Sequence, residues 1–334
     1  MNGVIIIDKP AGCTSHDVVN RMRRILGQRS VGHLGTLDPL ATGVLPLVTG
    51  GLTRLAQFYT SSEKTYEGTI RFGFATNTYD ADGEPTSESR AVNLSLEDLQ
   101  QHSTRFAGLI EQVPPPFSAK KIHGVPAYKL ARKQQEVILK PVQVEIKEFT
   151  ILSVDADRAT FRARVASGTY MRSVAHELGQ QLGCGAHLES LRRTSVAEFD
   201  IAQSHTLEQV EAHLNLCHSE PGGTPGEEPV VSHHEVIESL FIHPRQLLPQ
   251  FPSVTADEPT AARIRNGRPI NLPELSRARQ VKVFAGQRTL LAIATRVAGT
   301  LFHPKIVLAS ESQALARNKS GRKEPDLMGG THET

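Results

Sequence analysis

The chain has 334 residues, of which 39% are hydrophobic and 22% are charged, and its formal net charge at pH 7 is +2. This length predicts one large domain with a smaller partner, and the composition is typical of a globular protein. No run approaches the roughly 18 apolar residues of a membrane helix, and no signal peptide is expected at the N-terminus. Three cysteines make no disulfide framework, which predicts a protein of the reducing cytoplasm.

The predicted elements mix helices and strands without regular alternation. In chain order they are a strand over 3–7, a helix from a Ser15 cap to about Leu26, strands over 44–48 and 64–74, a polar turn over 77–88, a helix over 96–106 behind Ser95, strands over 142–154 and 158–167, and a helix over 170–182. The strands follow from period-two alternation, and the helices follow from apolar spacing of three and four residues. This order favours an α+β fold with a mixed, largely antiparallel sheet and flanking helices.

Composition divides the chain into four predicted parts. Residues 1–205 form the main domain. Residues 206–246 form an acidic, partly disordered linker, because their Pro, Gly and Glu cannot bury apolar surface. Residues 247–310 contain short β-like runs separated by Gly and Pro, which predicts a small barrel. Residues 311–334 are expected to be a flexible tail.

Regional charge is more informative than the net charge. Residues 241–299 carry nine Lys and Arg against three Asp and Glu, whereas residues 206–240 carry seven Glu and no Lys or Arg. A basic region is typical of proteins with a polyanion partner, because each neutralised phosphate releases counterions. Solvated helix faces explain the same charges, so the charge alone leaves both interpretations open.

The densest group of candidate functional residues lies between Gly32 and Gly43, in the sequence GHLGTLDPLATG. Its glycines allow tight turns or close approach to a ligand, and Pro39 biases Asp38 towards an extended conformation that fixes its carboxylate. Taken alone, Asp38 could equally cap a helix or bond its own backbone. His33 could be a surface histidine or a planar group that stacks on a base.

Five motifs occur in a fixed order along the first 200 residues. They are Asp8-Lys9-Pro10-Ala11-Gly12-Cys13-Thr14-Ser15, the loop from Gly32 to Leu45, Lys64-Thr65-Tyr66, Gly168-Thr169-Tyr170-Met171-Arg172-Ser173 and Leu191-Arg192-Arg193-Thr194. Together they resemble the motifs of the TruB family of tRNA pseudouridine synthases. The resemblance implies the pseudouridine synthase fold, and it implies isomerisation of uridine to pseudouridine at position 55 in the T arm of tRNA.

That reaction breaks an N-glycosidic bond, rotates the base and rejoins it through carbon. It is redox-neutral, and we expect no cofactor or metal. It needs a carboxylate beside the sugar and a group that accepts a proton. The motif positions imply that Asp38 is the essential carboxylate, that Tyr66 stacks on the base and accepts the proton, and that Arg172 keeps Asp38 ionised. Whether Asp38 acts first as a nucleophile or as a proton acceptor stays open.

The same resemblance implies further roles around the flipped nucleotide. His33 would enter the RNA as the target nucleotide leaves the stack. Tyr66, Tyr170 and Leu191 would contact the flipped uridine, and the supporting residues would be Lys9, Pro10 and Lys64.

Residues 247–310 are similar to the PUA-like RNA-binding domain of bacterial family members. We therefore expect tRNA as the partner of a cytoplasmic monomer that needs neither a membrane nor a protein partner. One alternative is the guide-RNA-directed rRNA enzyme of the same family. The other is a tRNA-binding or RNA-folding factor without catalysis.

Two segments resemble metal sites but lack their full pattern. His176-Glu177-Leu178-Gly179-Gln180 begins like the zinc motif H-E-x-x-H, but a glutamine stands where the second imidazole belongs. The acidic stretch is flanked by Cys217, His218, His233 and His234. The side chains of directly adjacent residues do not easily reach the same metal ion, so we expect no metal here either.

Overall fold

The computed structural model describes residues 1–133, 135, 137–216, 239–275 and 277–308. The chain divides into two compact units, one of Val4–Val48 and Leu55–Ile242, the other of Met1–Gly3, Thr49–Arg54 and the residues from His243 onward. The candidate zinc ligands of the acidic stretch and the predicted tail from 311 lie outside the described residues. The four predicted parts of the chain remain predictions.

One sheet forms the centre of the larger unit. Among the described residues its strands are β1 (Gly3–Lys9), β2 (Val31–His33), β3 (Thr42–Thr49), β4 (Lys64–Phe72), β5 (Gly108–Gln112), β8 (Val142–Asp155), β9 (Arg158–Val165), β10 (Ala186–Val196) and β11 (Phe199–Asp200), while β6 (Lys121–Ile122) and β7 (Val125–Pro126) pair separately. Their order is β1-β3-β10-β4-β9-β8-β5, with β2 beside β3 and β11 beside β10. Strand β10 runs parallel to β3 and antiparallel to β4. The predicted mixed, largely antiparallel sheet is confirmed.

Strand β9 shows why the sequence forms this sheet. Ala159, Phe161, Ala163 and Val165 are fully buried, and the residues between them face solvent. Successive side chains of a strand point to opposite faces, so this alternation buries one face and leaves the other in water.

Helices pack beside the sheet. They are α1 (Ser15–Ile25), α2 (Ala56–Tyr59), α3 (Leu96–Ser103), α4 (Ala127–Ala131), α5 (Met171–Gln181) and α6 (Leu207–Leu216). The Ser95 hydroxyl accepts a hydrogen bond from the amide of Asp98 at 3.0 Å, as expected of a cap. None of the helices in the described ranges is long and apolar enough to cross a membrane.

The predicted cap of α1 is wrong. Thr14 caps this helix, because its hydroxyl accepts from the Asp17 amide at 3.1 Å while the Asp17 carboxylate accepts from the Thr14 amide at 2.9 Å. This reciprocal arrangement satisfies two backbone donors at the helix N-terminus. Ser15 instead lies in the first turn, is buried and is available for another contact.

The beginning of the predicted acidic linker is helical. Helix α6 packs against α1, where Arg21 forms ion pairs with Glu208 at 2.9 Å and with Glu211 at 2.8 Å. Two of the glutamates expected on a solvated linker therefore have a fixed partner.

The smaller unit contains a sheet of order β12-β14-β15-β16-β13 and one longer helix. The elements are β12 (Ser253–Ala256), α7 (Glu258–Arg265), β13 (Ile270–Asn271), β14 (Gln280–Ala285), β15 (Thr289–Ala298) and β16 (Leu301–Val307). Its core includes Ile264, Val283, Ala292 and Phe302. The strands agree with the predicted β-like runs, while a PUA-like barrel remains a prediction.

Candidate active site

The Asp38 loop, residues 34–41, joins β2 to β3 and is held from below by a buried lysine. The Lys9 ammonium donates to the carbonyls of Pro10 at 2.9 Å, Pro39 at 3.2 Å and Ala41 at 2.7 Å. All three ammonium donors thus have an acceptor, which compensates for the complete burial of the side chain. Lys9 therefore fixes the loop backbone at Pro39 and Ala41.

A second buried cation holds the same loop from the other direction. Arg193 has no exposed surface, and its guanidinium donates to the carbonyls of Val44 at 2.8 Å, Thr36 at 3.2 Å and Gly35 at 3.1 Å. One planar group thereby ties the first half of the loop, and the strand β3 that follows it, to β10. Neither Lys9 nor Arg193 shares an ion pair with a carboxylate in these contacts.

Two further residues explain the shape of the loop. The Ser15 hydroxyl accepts from the Leu37 amide at 2.8 Å and donates to the Leu37 carbonyl at 3.1 Å. Gly43 has a φ of +98°, and a Cβ placed there would lie 2.2 Å from the Arg193 carbonyl oxygen. Because no side chain fits at that distance, the parallel pairing of β3 with β10 requires glycine at this position.

Arg172, near the start of α5, lies against the loop. One nitrogen of its guanidinium, Nη2, is 2.9 Å from Asp38 Oδ2, and the other, Nη1, is 3.4 Å from Asp80 Oδ2. The same two nitrogens donate to the carbonyls of Thr78 and Phe117, each at 3.1 Å. The Arg172 side chain is only 6% exposed, whereas that of Asp38 is 41% exposed. Arg172 is thus a buried clamp, while the carboxylate it holds remains accessible.

No motif in the sequence marks Asp80, which lies in the predicted polar turn. It is buried, and its Oδ1 accepts from the Thr78 hydroxyl at 2.5 Å and from the Asp82 amide at 3.2 Å. Burial raises the pKa of Asp80, and the Thr78 hydrogen bond and the charge of Arg172 act in the opposite direction. Arg172 therefore lies between two carboxylates in different environments, one accessible and one buried.

A cavity of about 430 Å³ opens beside this ion pair. It is lined by the predicted catalytic and substrate-binding residues together with one supporting residue: His33, Asp38, Lys64, Tyr66, Tyr170, Arg172 and Leu191. These residues come from the end of β2, from the Asp38 loop, from β4, from the start of α5 and from β10. Lys9 and Pro10 do not line the cavity; Lys9 is buried against the loop, and Pro10 is exposed.

The loop-binding cation Arg193 also influences the charges in the cavity. Burial and then Arg193 lower the pKa of His33, whose Nδ1 accepts from the Gly35 amide at 3.3 Å. His33 is therefore neutral at pH 7. The same two causes lower the pKa of Lys64 to about 8, and its ammonium donates to the Ser62 carbonyl at 2.6 Å. Lys64 is thus mostly charged at neutral pH but titrates close to it.

A buried glutamine that the sequence does not mark positions Tyr170. The Gln112 side-chain oxygen accepts from the Tyr170 amide at 2.8 Å, and its NH₂ group donates to the Tyr170 carbonyl at 3.1 Å. This pair of bonds connects the end of β5 to the residue that begins α5. Burial raises the pKa of Tyr170, so its hydroxyl is protonated at neutral pH.

Residues 23–171 match the N-terminal domain of TruB family pseudouridylate synthases, and residues 172–223 match the tRNA pseudouridylate synthase B C-terminal domain. The chain belongs to the TruB family. This confirms the resemblance seen in the motifs, and it confirms the predicted enzyme class, an isomerase of the pseudouridine synthase type.

TruB-family relatives resemble the chain over most of its length. It is 49% identical to the tRNA pseudouridine synthase B of Solibacter usitatus over 92% of this chain and 100% of that protein. The corresponding protein of an Azoarcus species is 35% identical over 93% of this chain and 96% of its own. Among solved structures, a chain of a Cbf5-Nop10-Gar1 complex superposes with a TM-score of 0.67 at 22% identity, covering 93% of this chain and 86% of that one. This likeness confirms the predicted fold class.

Proposed function

We propose that this protein converts uridine to pseudouridine at position 55 in the T arm of tRNA, with Asp38 as the essential carboxylate. The observation that carries the proposal is the 2.9 Å ion pair between accessible Asp38 and buried Arg172 at the edge of the cavity. The names of the TruB relatives support tRNA as the substrate. The order of the motifs supports the assignment of each role.

The reaction needs one carboxylate that stays ionised in a partly dry cavity. The bond from C1′ of the ribose to N1 of uracil breaks, the base turns, and C5 bonds to C1′. C5 then loses a proton and N1 gains one, so the change is redox-neutral. The guanidinium of Arg172, 2.9 Å from Asp38 Oδ2, holds this carboxylate at the edge of the cavity through a charge-assisted contact. Tyr66, which also lines the cavity, is the group we assign to the base and its proton.

The surrounding residues hold this carboxylate in place before RNA arrives. Lys9, Ser15 and Arg193 bond the backbone of the Asp38 loop on several sides. Because the loop is already ordered, no further conformational entropy is lost to position Asp38 when the reaction begins. His33, neutral for the reasons given above, enters the RNA stack without carrying a charge into it.

A tRNA transcript that lacks modifications tests the proposal. The purified protein and its Asp38→Asn variant are incubated with the transcript, and pseudouridine is mapped by carbodiimide reactivity. A transcript with cytidine at position 55 is the substrate control. We expect one T-arm signal with the unaltered protein and none with Asp38→Asn, which still binds the transcript because the substitution keeps the size of the side chain.

Other outcomes would point to the alternatives. Tight tRNA binding without any pseudouridine would refute a free-standing enzyme and favour a guide-dependent enzyme or a binding factor. A signal at another uridine would refute the assigned position, and an active Asp38→Asn variant would refute the role of Asp38.

We also propose that the protein acts in the cytoplasm as a monomer. Activity of a fraction that elutes at 36.5 kDa, without added protein, tests the oligomeric part.

A further inference from the structure

Two aromatic rings stack where Tyr79 meets α5, the helix that carries Arg172. The rings of Tyr79 and His176 lie 3.7 Å apart between centroids, with an angle of 10° between their planes. His176 is one helical turn after Arg172 on α5, so both side chains lie on the same face of the helix. Tyr79 has a φ of +66°, a left-handed conformation that tyrosine rarely adopts. The ring stack thus coincides with a strained backbone next to the proposed catalytic ion pair.

Gln180, the last residue of the segment 176–180 that resembles a zinc motif, orients the His176 ring. The Gln180 side-chain NH₂ group lies 2.8 Å from His176 Nε2, and an amide NH₂ can only donate. The imidazole Nε2 therefore accepts, and the ring faces Tyr79 in one orientation. Gln180, at the position where a second metal-binding imidazole would stand, holds the ring instead.

The neighbours of Tyr79 on both sides hold Arg172. The Thr78 carbonyl accepts from Arg172 Nη1 at 3.1 Å, and Asp80 Oδ2 lies 3.4 Å from the same nitrogen. On the other side of this segment, the Tyr79 carbonyl accepts from the Leu188 amide at 3.0 Å. Residues 78–80 are thus attached to β10 through the backbone and to α5 through the ring stack.

We propose that the Tyr79–His176 ring stack is a positioning device for Arg172. By holding residues 78–80 against α5, it keeps the Thr78 carbonyl and the Asp80 carboxylate on Nη1. Nη2 then remains on Asp38. The stacking of the rings offsets the unfavourable backbone conformation of Tyr79, which is why an aromatic residue is found there. This inference rests on the proposed function, since it assigns the stack to the arginine that serves Asp38.

Single-turnover rates of pseudouridine formation measure whether the ring stack positions Arg172. The Tyr79→Ser and His176→Ala variants each remove one ring, and Tyr79→Phe keeps the stack. With saturating tRNA transcript we expect the rate of pseudouridine formation to fall about 10- to 100-fold for each ring deletion, because displacement of a catalytic group by about 1 Å costs up to ~100-fold. The dissociation constant for tRNA should stay within about twofold, and Tyr79→Phe should restore the rate. The double variant should be no slower than the slower single variant, because the rings act as one unit.

A matched variant separates positioning from general loss of stability. Phe149 contacts Phe106 and Phe161 with ring centroids 5.8 Å and 5.5 Å apart, and none of the three is a partner of Arg172. Phe149→Leu loosens this buried ring cluster in the same domain. We expect it to lower the melting temperature at least as much as Tyr79→Ser while the single-turnover rate stays unchanged.

The results distinguish this inference from the proposed function. If the unaltered protein makes no pseudouridine, or if Asp38→Asn remains active, the proposed function fails whatever the rings do. If those two controls behave as expected but both ring deletions keep the full rate, the positioning role is overturned. A rate loss in Phe149→Leu equal to that of the ring deletions would also overturn it. His176→Ala leaves the sequence of the 78–80 segment unchanged, so it decides the matter where Tyr79→Ser does not fold.

Discussion

Two sets of buried cations surround Asp38, and they use different partners. The loop floor, which we define as Lys9 and Arg193, donates to backbone carbonyls of the Asp38 loop. The cavity wall, defined as Arg172, contacts two carboxylates in addition to carbonyls. Hydrogen bonds to backbone carbonyls fix the shape of a loop, and a carbonyl does not itself change its charge with pH. The comparison indicates that Lys9 and Arg193 fix the backbone of the loop, while Arg172 holds its carboxylate.

Arg193 of the loop floor also changes the pKa of side chains that it does not hydrogen-bond. Arg193 contributes to the lowered pKa of both His33 and Lys64, although neither bonds to it. The cavity wall has the opposite influence on carboxylates, because the charge of Arg172 counteracts the burial that raises the pKa of Asp80. Arg193 thus disfavours the protonated forms of His33 and Lys64, while Arg172 limits the rise in the pKa of Asp80.

Removing the cavity wall should have the largest effect. Arg172→Met is expected to lower the rate of pseudouridine formation by about 1,000-fold, in line with the loss of a preorganised electrostatic group. It should also destabilise the fold by about 3 kcal/mol, because Asp80 remains buried without its cation. Single-turnover kinetics and urea unfolding measure the two effects.

A second substitution separates the two consequences of losing Arg172. Burial raises the pKa of Asp80 even beside Arg172, and Arg172→Met should raise it further, so the variant should lose additional stability as the pH rises through this range. The deficit should be smallest in acid and largest at neutral pH. Adding Asp80→Asn should restore much of the stability at pH 7 and none of the activity. Restored activity in the double variant would show that Arg172 is needed only to neutralise Asp80.

Removing Arg193, one of the two residues of the loop floor, should have an intermediate effect on the rate of pseudouridine formation. Arg193→Met leaves the carbonyls of Gly35, Thr36 and Val44 without their donor, at a cost of about 3 kcal/mol for buried acceptors. We expect the rate to fall about 10- to 100-fold as Asp38 loses its fixed position.

Arg192→Met is the matched control, one residue away. The Arg192 side chain is 43% exposed and pairs with Asp8 at 2.7 Å, so its loss should cost about 1 kcal/mol or less. Equal losses of stability and rate in the two variants would show that burial of Arg193 has no special role.

The smallest effect is expected at Lys64. Its folded pKa of about 8 lies below the ordinary lysine value of 10.5, so a charged Lys64 destabilises the folded protein, and this destabilisation is fully present below pH 8. Lys64→Met should therefore stabilise the protein by on the order of 1 kcal/mol at pH 7, after discounting for solvent contact. The gain should shrink as the pH rises from 8 to 10.5, which thermal unfolding at several pH values measures.

The same variant should bind tRNA more weakly. A positive charge in the cavity attracts phosphates, and its removal should lower the slope of log affinity against log salt by about one. An unchanged salt slope would show that Lys64 does not face the RNA backbone.

The fold could be predicted from the sequence wherever local pattern decides structure. The alternation of β9 and the apolar spacing of α5 give these elements to within a few residues. The predicted cap of α1 was wrong although a local signal for Thr14 is present in the sequence. Asp17 stands three residues after Thr14 and completes the reciprocal pair of bonds, whereas Val18, three residues after Ser15, cannot do so. The contact of Ser15 with Leu37 spans 22 residues and could not be predicted from a local pattern.

The candidate site could be predicted where a motif names its residues, as for Asp38, Tyr66 and Arg172. Asp80 and Gln112 could not, because each has an ordinary local sequence and acquires its contact only through the tertiary structure. Gln112 bonds a residue 58 positions away. A polar residue that will be buried looks the same in sequence as one that will face water.

The bond between Arg193 and the Val44 carbonyl joins residues 149 positions apart. During synthesis the Asp38 loop therefore leaves the ribosome long before the arginine that fixes it. At about 5–20 residues per second this interval lasts on the order of 10 s, and a nascent chain in that interval has the carboxylate without its support. If the proposed function holds, catalytic competence arises only after residue 193 has been translated. An incomplete chain released earlier should form no pseudouridine.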